Sequence, residues 1–354
     1  MPISRVPPNL FGIGFGLAGL ATTWRVAAAV DLAPTWPSNV LVVVAAAVWL
    51  SSICRYLQYA RQSAGALGRD LLDMTTGPFL SLAVITPMLL AADGVTPLSR
   101  PVARVLVDGF AVLVVLLGGW FTGTWMRGGT ELDRVHPGDF LPTVAGGLVA
   151  SASASDVGQP RLAQAMLGLG LVCWAIVGSM ILGRLIFRPP LPDALVPTMA
   201  IEVAPAAVAS IAYLSINGGR IDLFAAALAG YGILMIAAQG PLLPRYLRLS
   251  FSLGTWAFTF SWAAVASAML LWIRSGGVRG DRLLGYLVLG AISALVGGIV
   301  GRTLLALRRG SLLPTAPGPV AAAPVTAPDG RAPARRPRTA RATGTSFPQH
   351  EGAP

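Results

Sequence analysis

The stretch from Gly254 to Leu271 reads GTWAFTFSWAAVASAMLL. With its neighbours to Ile273 it is long and apolar enough to cross a bilayer as one helix. At 100° per residue, Gly254, Ala257, Ser261, Ala264, Ser267 and Ala268 fall in one wide sector, with Trp262, Val265 and Met269 opposite. A face of small and hydroxylic residues either packs closely on another helix or lines a water-filled path. Phe260 is the one large residue pointing out of that face, whereas Phe258 points to the bulky side. A lone phenyl ring among Gly, Ala and Ser suits a plug in a pore. It also suits a gap-filler between packed helices.

Working outward, the rest of the chain is of the same kind. Of 354 residues, 54% are hydrophobic and 12% charged, where a soluble domain carries about 25% charged residues. Apolar runs of membrane-spanning length recur almost throughout, without strand alternation, so the expected class is an all-α membrane protein. Ten spans are expected, near 9–30, 38–59, 77–93, 101–125, 139–158, 161–187, 195–216, 221–243, 253–273 and 283–307. Short connections make consecutive helices antiparallel neighbours. Odd spans are rich in Gly, Ala, Ser, Thr and Pro, as in GIGFGLAGLATTW and LPTVAGGLVASASAS; even spans are bulkier, as in VLVVVAAAVW. Odd starts recur every 56 to 68 residues, which suggests five repeated helical hairpins with pseudo-fivefold symmetry. Small-faced odd helices inside and bulky even ones outside would then line a central pore. An ordinary bundle without a channel is the alternative.

The pore-lining candidates are Gly14 and position 17 (Leu17) in the first span, Pro87 in the third, Pro142 in the fifth, Pro205 in the seventh, and Ala257, Ser261 and Ala264 beside the gate residue Phe260. Each proline removes an amide donor and bends its helix, and the freed carbonyl needs water or a neighbour. Two acids lie about two turns inside their spans, Asp108 and Glu202. Such groups are costly in lipid and default to functional suspects. Glu202 shares a face with Thr198, Pro205 and Ala209. It is read either as a coupling carboxylate or as a mouth carboxylate paired with Arg184 or Arg188.

The formal charge is +11 and every basic residue is Arg, but the excess sits in loop ends and the tail, so nucleic acid is not implied. Cys54 and Cys173 have no metal spacing and no expected disulfide; His136 and His350 stand apart. No cofactor, metal site or catalytic constellation is expected, so an enzyme is not. The partners expected are small inorganic or organic anions and the lipid bilayer. Arg residues divide almost evenly between the two sides, and Arg302, Arg308 and Arg309 tip both termini into the cytoplasm of a multi-pass plasma-membrane protein. Residues 1–308 form the ten-helix domain. Residues 309–354, rich in Pro, Ala and Arg, are expected to be a disordered cytoplasmic tail.

Five motifs occur in register: Gly12-Ile13-Gly14 through Trp24-Arg25; His136-Pro137 with Phe140-Leu141-Pro142-Thr143; Ala204-Pro205-Ala206; Ser215-Ile216-Asn217-Gly218-Gly219; and Trp256-Ala257-Phe258-Thr259-Phe260. Together, from about Phe11 to Arg308, they resemble the family that joins the bacterial tellurite-resistance and dicarboxylate transporters to the plant slow anion channels and the fungal malic acid and sulfite transporters. The resemblance implies ten helices as five hairpins, a mostly uncharged anion-conducting pore, a homotrimer, and a phenylalanine on the ninth span that occludes the pore. By position in its motif that residue corresponds to Phe260. The expected function is an anion channel or facilitator. A proton-coupled dicarboxylate or sulfite carrier using Glu202 is the alternative, and an intramembrane enzyme a more distant one.

Overall fold

The computed structural model describes residues 5–129, 131–275, 280–310 and 312; the expected tail lies outside them but for its first residues. Two kinds of apolar rod alternate along the chain. A tight turn at Pro8–Leu10 leads into α1 (Phe11–Ala29), which is followed by the unbroken α2 (Trp36–Gln62) and a short connecting helix α3 (Ala66–Leu72). The third span is composite: a 3-10 stretch Gly77–Ser81, then α4 (Leu82–Leu90), then a π turn Ala91–Val95. The unbroken α5 (Arg100–Met126) follows. Next come a 3-10 turn Pro137–Phe140, a π turn Leu141–Ala145 and α6 (Gly146–Asp156), and then the unbroken α7 (Pro160–Phe187). A 3-10 stretch Val196–Val203 opens α8 (Ala204–Ile216), followed by α9 (Leu223–Ala238) and one turn, α10 (Leu243–Tyr246). Leu253–Trp256 opens α11 (Ala257–Ser275), and α12 (Asp281–Arg308) closes the described chain.

Eight of these rods, among the described residues, are long and apolar enough to cross a membrane. The chain is an all-α, multi-spanning membrane protein. The eighth expected span is shorter than its reading, because the helix stops at Ala238, ahead of Gly240 and Pro241.

Burial separates the two kinds. In the rods of α1, α4, α8 and α11, between 56% and 78% of the most apolar stretch is buried; in α2, α5, α7 and α12 it is 17% to 33%. The composite rods also touch one another in sequence: α1 with α4, α4 with α6, α6 with α8, α8 with α11, and α11 with α1. The unbroken helices pack outside them, α2 against α1, α5 against α4 and α6, α7 against α6 and α8, and α12 against α11 and α1. Their outward side chains, such as Val43, Val105, Leu116 and Ile176, stay exposed, which suits lipid tails.

Side chains satisfy backbone groups that the composite rods leave unpaired. Pro87 sits inside α4 and cannot donate to the carbonyl four residues back. That carbonyl, Ala83 O, instead accepts from Trp49 Nε1 of α2 at 2.9 Å. The motif starting at His136 is a cap. His136 Nδ1 accepts from Gly138 N at 3.0 Å, and Asp139 Oδ2 accepts from His136 N at 2.9 Å. This reciprocal pair satisfies amides that the start of a helix leaves unpaired. At the other end of that rod, Arg104 Nε of α5 donates to Val157 O at 2.7 Å.

Close approach of α1 to α11 depends on glycine. A Cβ at Gly19 would lie 2.8 Å from Phe260 Cδ2, and one at Gly16 would lie 2.9 Å from Trp256 Cε3. Small residues spaced along one face let two backbones meet in lipid.

Candidate functional site: an apolar cavity with stacked rings in its wall

The ring of composite rods encloses a cavity of about 50 Å³, lined from all five. Each rod brings one face to it: α1 through Phe15, α4 through Leu82, α6 through Leu148, α8 through Pro205, and α11 through Phe260. The space accommodates a few water molecules. No charged side chain lines it. Its polar side-chain atoms belong to Asn9, Ser261 and Trp256, and the Trp256 indole is already engaged, donating to Thr303 Oγ1 at 3.0 Å.

Phe260 does not stand alone. Its ring stacks on Phe15 of α1, with centroids 3.7 Å apart and planes 18° from parallel. Phe258, two residues earlier, turns away and meets Tyr246 edge-on, with centroids 4.9 Å apart. The opposite orientations expected for these two rings therefore hold.

The small face of α11 serves two purposes by height. Ala257, Phe260 and Ser261 face the cavity. Further along, Ser267 Oγ donates to Thr23 Oγ1 of α1 at 3.0 Å, and Thr23 Oγ1 donates to Ala263 O at 3.0 Å. That half is close packing.

Of the candidates, the cavity brings together Ala257, Phe260, Ser261 and Pro205. Gly14 lies elsewhere, against Trp49 of α2, where an added Cβ would come within 3.3 Å of Trp49 Cβ. Leu17, Pro87, Pro142 and Ala264 are buried but off the cavity lining. Glu202 is buried and off it too. Its Oε1 has no hydrogen-bond partner, and its electrostatic neighbours are the phenols of Tyr231 and Tyr246. It does not pair with Arg184 or Arg188: Arg184 donates to Pro189 O and Asp133 O, and Arg188 pairs with Asp133 at 3.6 Å. Asp108 accepts from Gln159 Nε2 at 3.0 Å and holds the start of α7.

Reading the sequence missed Phe15. The signal was present, a single ring inside GIGFGLAG, the same pattern that singles out Phe260. It also missed a polar belt where the composite rods end. There Arg25 Nε of α1 lies 3.0 Å from Asp93 Oδ1, and Arg25 NH2 pairs with Asp156 at the end of α6.

Residues 5–304 match the voltage-dependent anion channel family, SLAC1. The chain belongs to that family. Within it, the chain is 28% identical to the tellurite resistance protein TehA homolog of Haemophilus influenzae over 306 residues, which cover 86% of this chain and 92% of that one. It is 25% identical to the guard cell S-type anion channel SLAC1 of Arabidopsis thaliana over 284 residues, 75% of this chain and 49% of the plant protein. The S-type anion channel SLAH3 of the same plant is 23% identical over 278 residues. The family description is of a channel rather than an enzyme. Among the described residues no group of His, Cys, Asp and Glu could hold a metal ion.

Proposed function

We propose that this chain is an anion channel or facilitator whose path runs along the axis of the five composite rods and is closed by Phe260. One observation carries the reading: a cavity lined from all five rods, free of charged side chains, with the stacked Phe15–Phe260 pair in its wall. An uncharged, narrow lining imposes a dehydration barrier, and an apolar ring adds a steric one; both are means by which channels close. The same reading takes α6 and its lead-in, with α9, as the remaining two of ten spans, giving five hairpins about a pseudo-fivefold axis. It sets both termini in the cytoplasm. It also makes the functional unit a homotrimer, with the exposed apolar faces of the outer helices against lipid and neighbouring copies; a mass in nanodiscs equal to one chain would overturn that part.

The deciding experiment is recording in planar bilayers with anion substitution. Wild type, Phe260→Ala and Phe258→Ala are compared, with melting curves on the same preparations. The expected result is a folded Phe260→Ala protein that conducts far more anion than wild type, while Phe258→Ala does not. A folded Phe260→Ala protein with wild-type conductance would sink the reading.

A proton-coupled carrier is the second reading, because Glu202 Oε1 is buried without a partner. Uptake that needs a proton gradient and is lost in Glu202→Gln would support it over the channel.

A further inference from the structure

We propose that Arg25, held by Asp93 and Asp156, forms a second, electrostatic closure of the anion path, at the end of the composite rods away from the phenyl pair, and that it sets charge selectivity there. The proposal rests on the anion-path reading above and adds a site to it.

Helical register puts this cluster on the path. Thr22 follows Phe15 by seven residues, about two turns of α1 on the same face. Asp156 follows Ala145 by eleven residues, about three turns along α6, again on the cavity-lining face. Asp93 lies in the π turn that continues α4 from Leu82. The three rods converge there: Thr22 Oγ1 donates to Asp93 Oδ2, and Arg25 bridges Asp93 and Asp156. Beside Asp156, Ser215 Oγ of α8 donates to Ser155 Oγ, which extends the belt to a fourth rod.

The charge arithmetic makes this a barrier for anions. Arg25 spends Nε on Asp93, NH2 on Asp156 and NH1 on Ala92 O at 3.3 Å. Within the triad one cation stands against two carboxylates, with Arg104 of α5 outside it on the Val157 and Gly158 carbonyls, in line with a cavity that has no charged side chain. It is not sealed in the core. The Arg25 and Asp156 side chains are 32% and 35% exposed, while Asp93 is 2% exposed beneath them. An anion passing this point meets a guanidinium already paired with two carboxylates, and those carboxylates repel it. Weakening one carboxylate frees the cation, and charge lining a narrow mouth changes the local ion concentration steeply.

The test uses the full chain in planar bilayers with potassium chloride gradients, in the Phe260→Ala background so that the ring does not mask the belt. Asp156→Asn and Asp93→Asn should each raise single-channel chloride conductance, roughly two- to tenfold, and move the reversal potential toward the chloride equilibrium value. Arg25→Gln should lower chloride conductance and move the reversal potential toward the potassium value, and Arg25→Lys should restore it. If the belt only ties helices together, all of these variants lose thermal stability with unchanged reversal potential and conductance, and the proposal is overturned. Current in Phe260→Ala with identical selectivity across the set defeats this inference alone. No current in Phe260→Ala defeats the anion path and the belt with it.

Discussion

The two ends of the composite-rod bundle differ in the chemistry they present. Where the rods begin, the wall is hydrocarbon: Phe15 stacks on Phe260 in a cavity without charge. Where α1, α4 and α6 end, the same faces bring an arginine between two aspartates. Under the function proposed above, the first would be a steric and dehydrating barrier made by a ring pair. The second, as proposed, would be electrostatic and would depend on the Arg25, Asp93 and Asp156 ion pairs. An anion crossing the bundle would meet both, and each can be altered without touching the other.

The largest effect should come from the hydrocarbon end. Phe260→Ala subtracts a steric barrier, and every 1.4 kcal/mol or so removed speeds passage about tenfold. Anion current should rise by at least that factor, read as single-channel conductance times open time. Phe15→Ala should act in the same direction but less. It leaves the Phe260 ring in place without its stacking partner, an interaction worth about 0.5–1.5 kcal/mol, so a roughly two- to tenfold rise in open probability is expected. Equal effects of the two rings would mean that they gate as one body. Glu202 lies where the α8 rod begins but off the cavity lining, so Glu202→Gln should leave conductance and reversal potential within error; a changed reversal potential would bring the carboxyl back onto the path.

A smaller effect concerns the cap that starts the α6 rod. Burial holds the His136 imidazole down at about 4, against the ordinary 6.5, with hydrogen bonds to the Thr75 and Met74 carbonyls opposing the shift. The unfolded chain therefore takes up this proton first as pH falls. The stability it contributes is fully present above about pH 6.5 and is lost on going down through the window to about pH 4. Melting temperature in detergent should fall across that window, and His136→Asn, which can still cap, should show a shallower fall. An identical slope in both proteins would remove His136 as the cause.

Much of this architecture could be read from composition. The contrast between GIGFGLAGLATTW and VLVVVAAAVW marks which rods go inside, because small side chains are what permit close helix approach in lipid. Phe260 stood out for the same reason. The π turns and 3-10 lead-ins were not legible, nor was the donor that meets the carbonyl freed by Pro87: Trp49, which satisfies Ala83 O, lies 34 residues away. Gly14 was misplaced because α1 is glycine-rich on more than one face, and the sequence does not say which face meets α11. The charged belt was hidden by its position. Arg25, Asp93 and Asp156 sit at span ends, where charged residues ordinarily face water, and only the fold brings them together.

The seat of the Phe260 ring has a consequence for how such a gate could be tuned. The ring lies over Gly19, on a different helix, in space that exists because that residue has no side chain. If the ring is the gate, its seat is set at a position far from it in sequence. A single methyl at 19 would lie 2.8 Å from the ring's Cδ2 and would act as a wedge, forcing the ring or its helix to shift. Adjusting the leak of such a path, by selection or by design, needs no change to the gating residue itself: the vacancy beneath it is the set-screw.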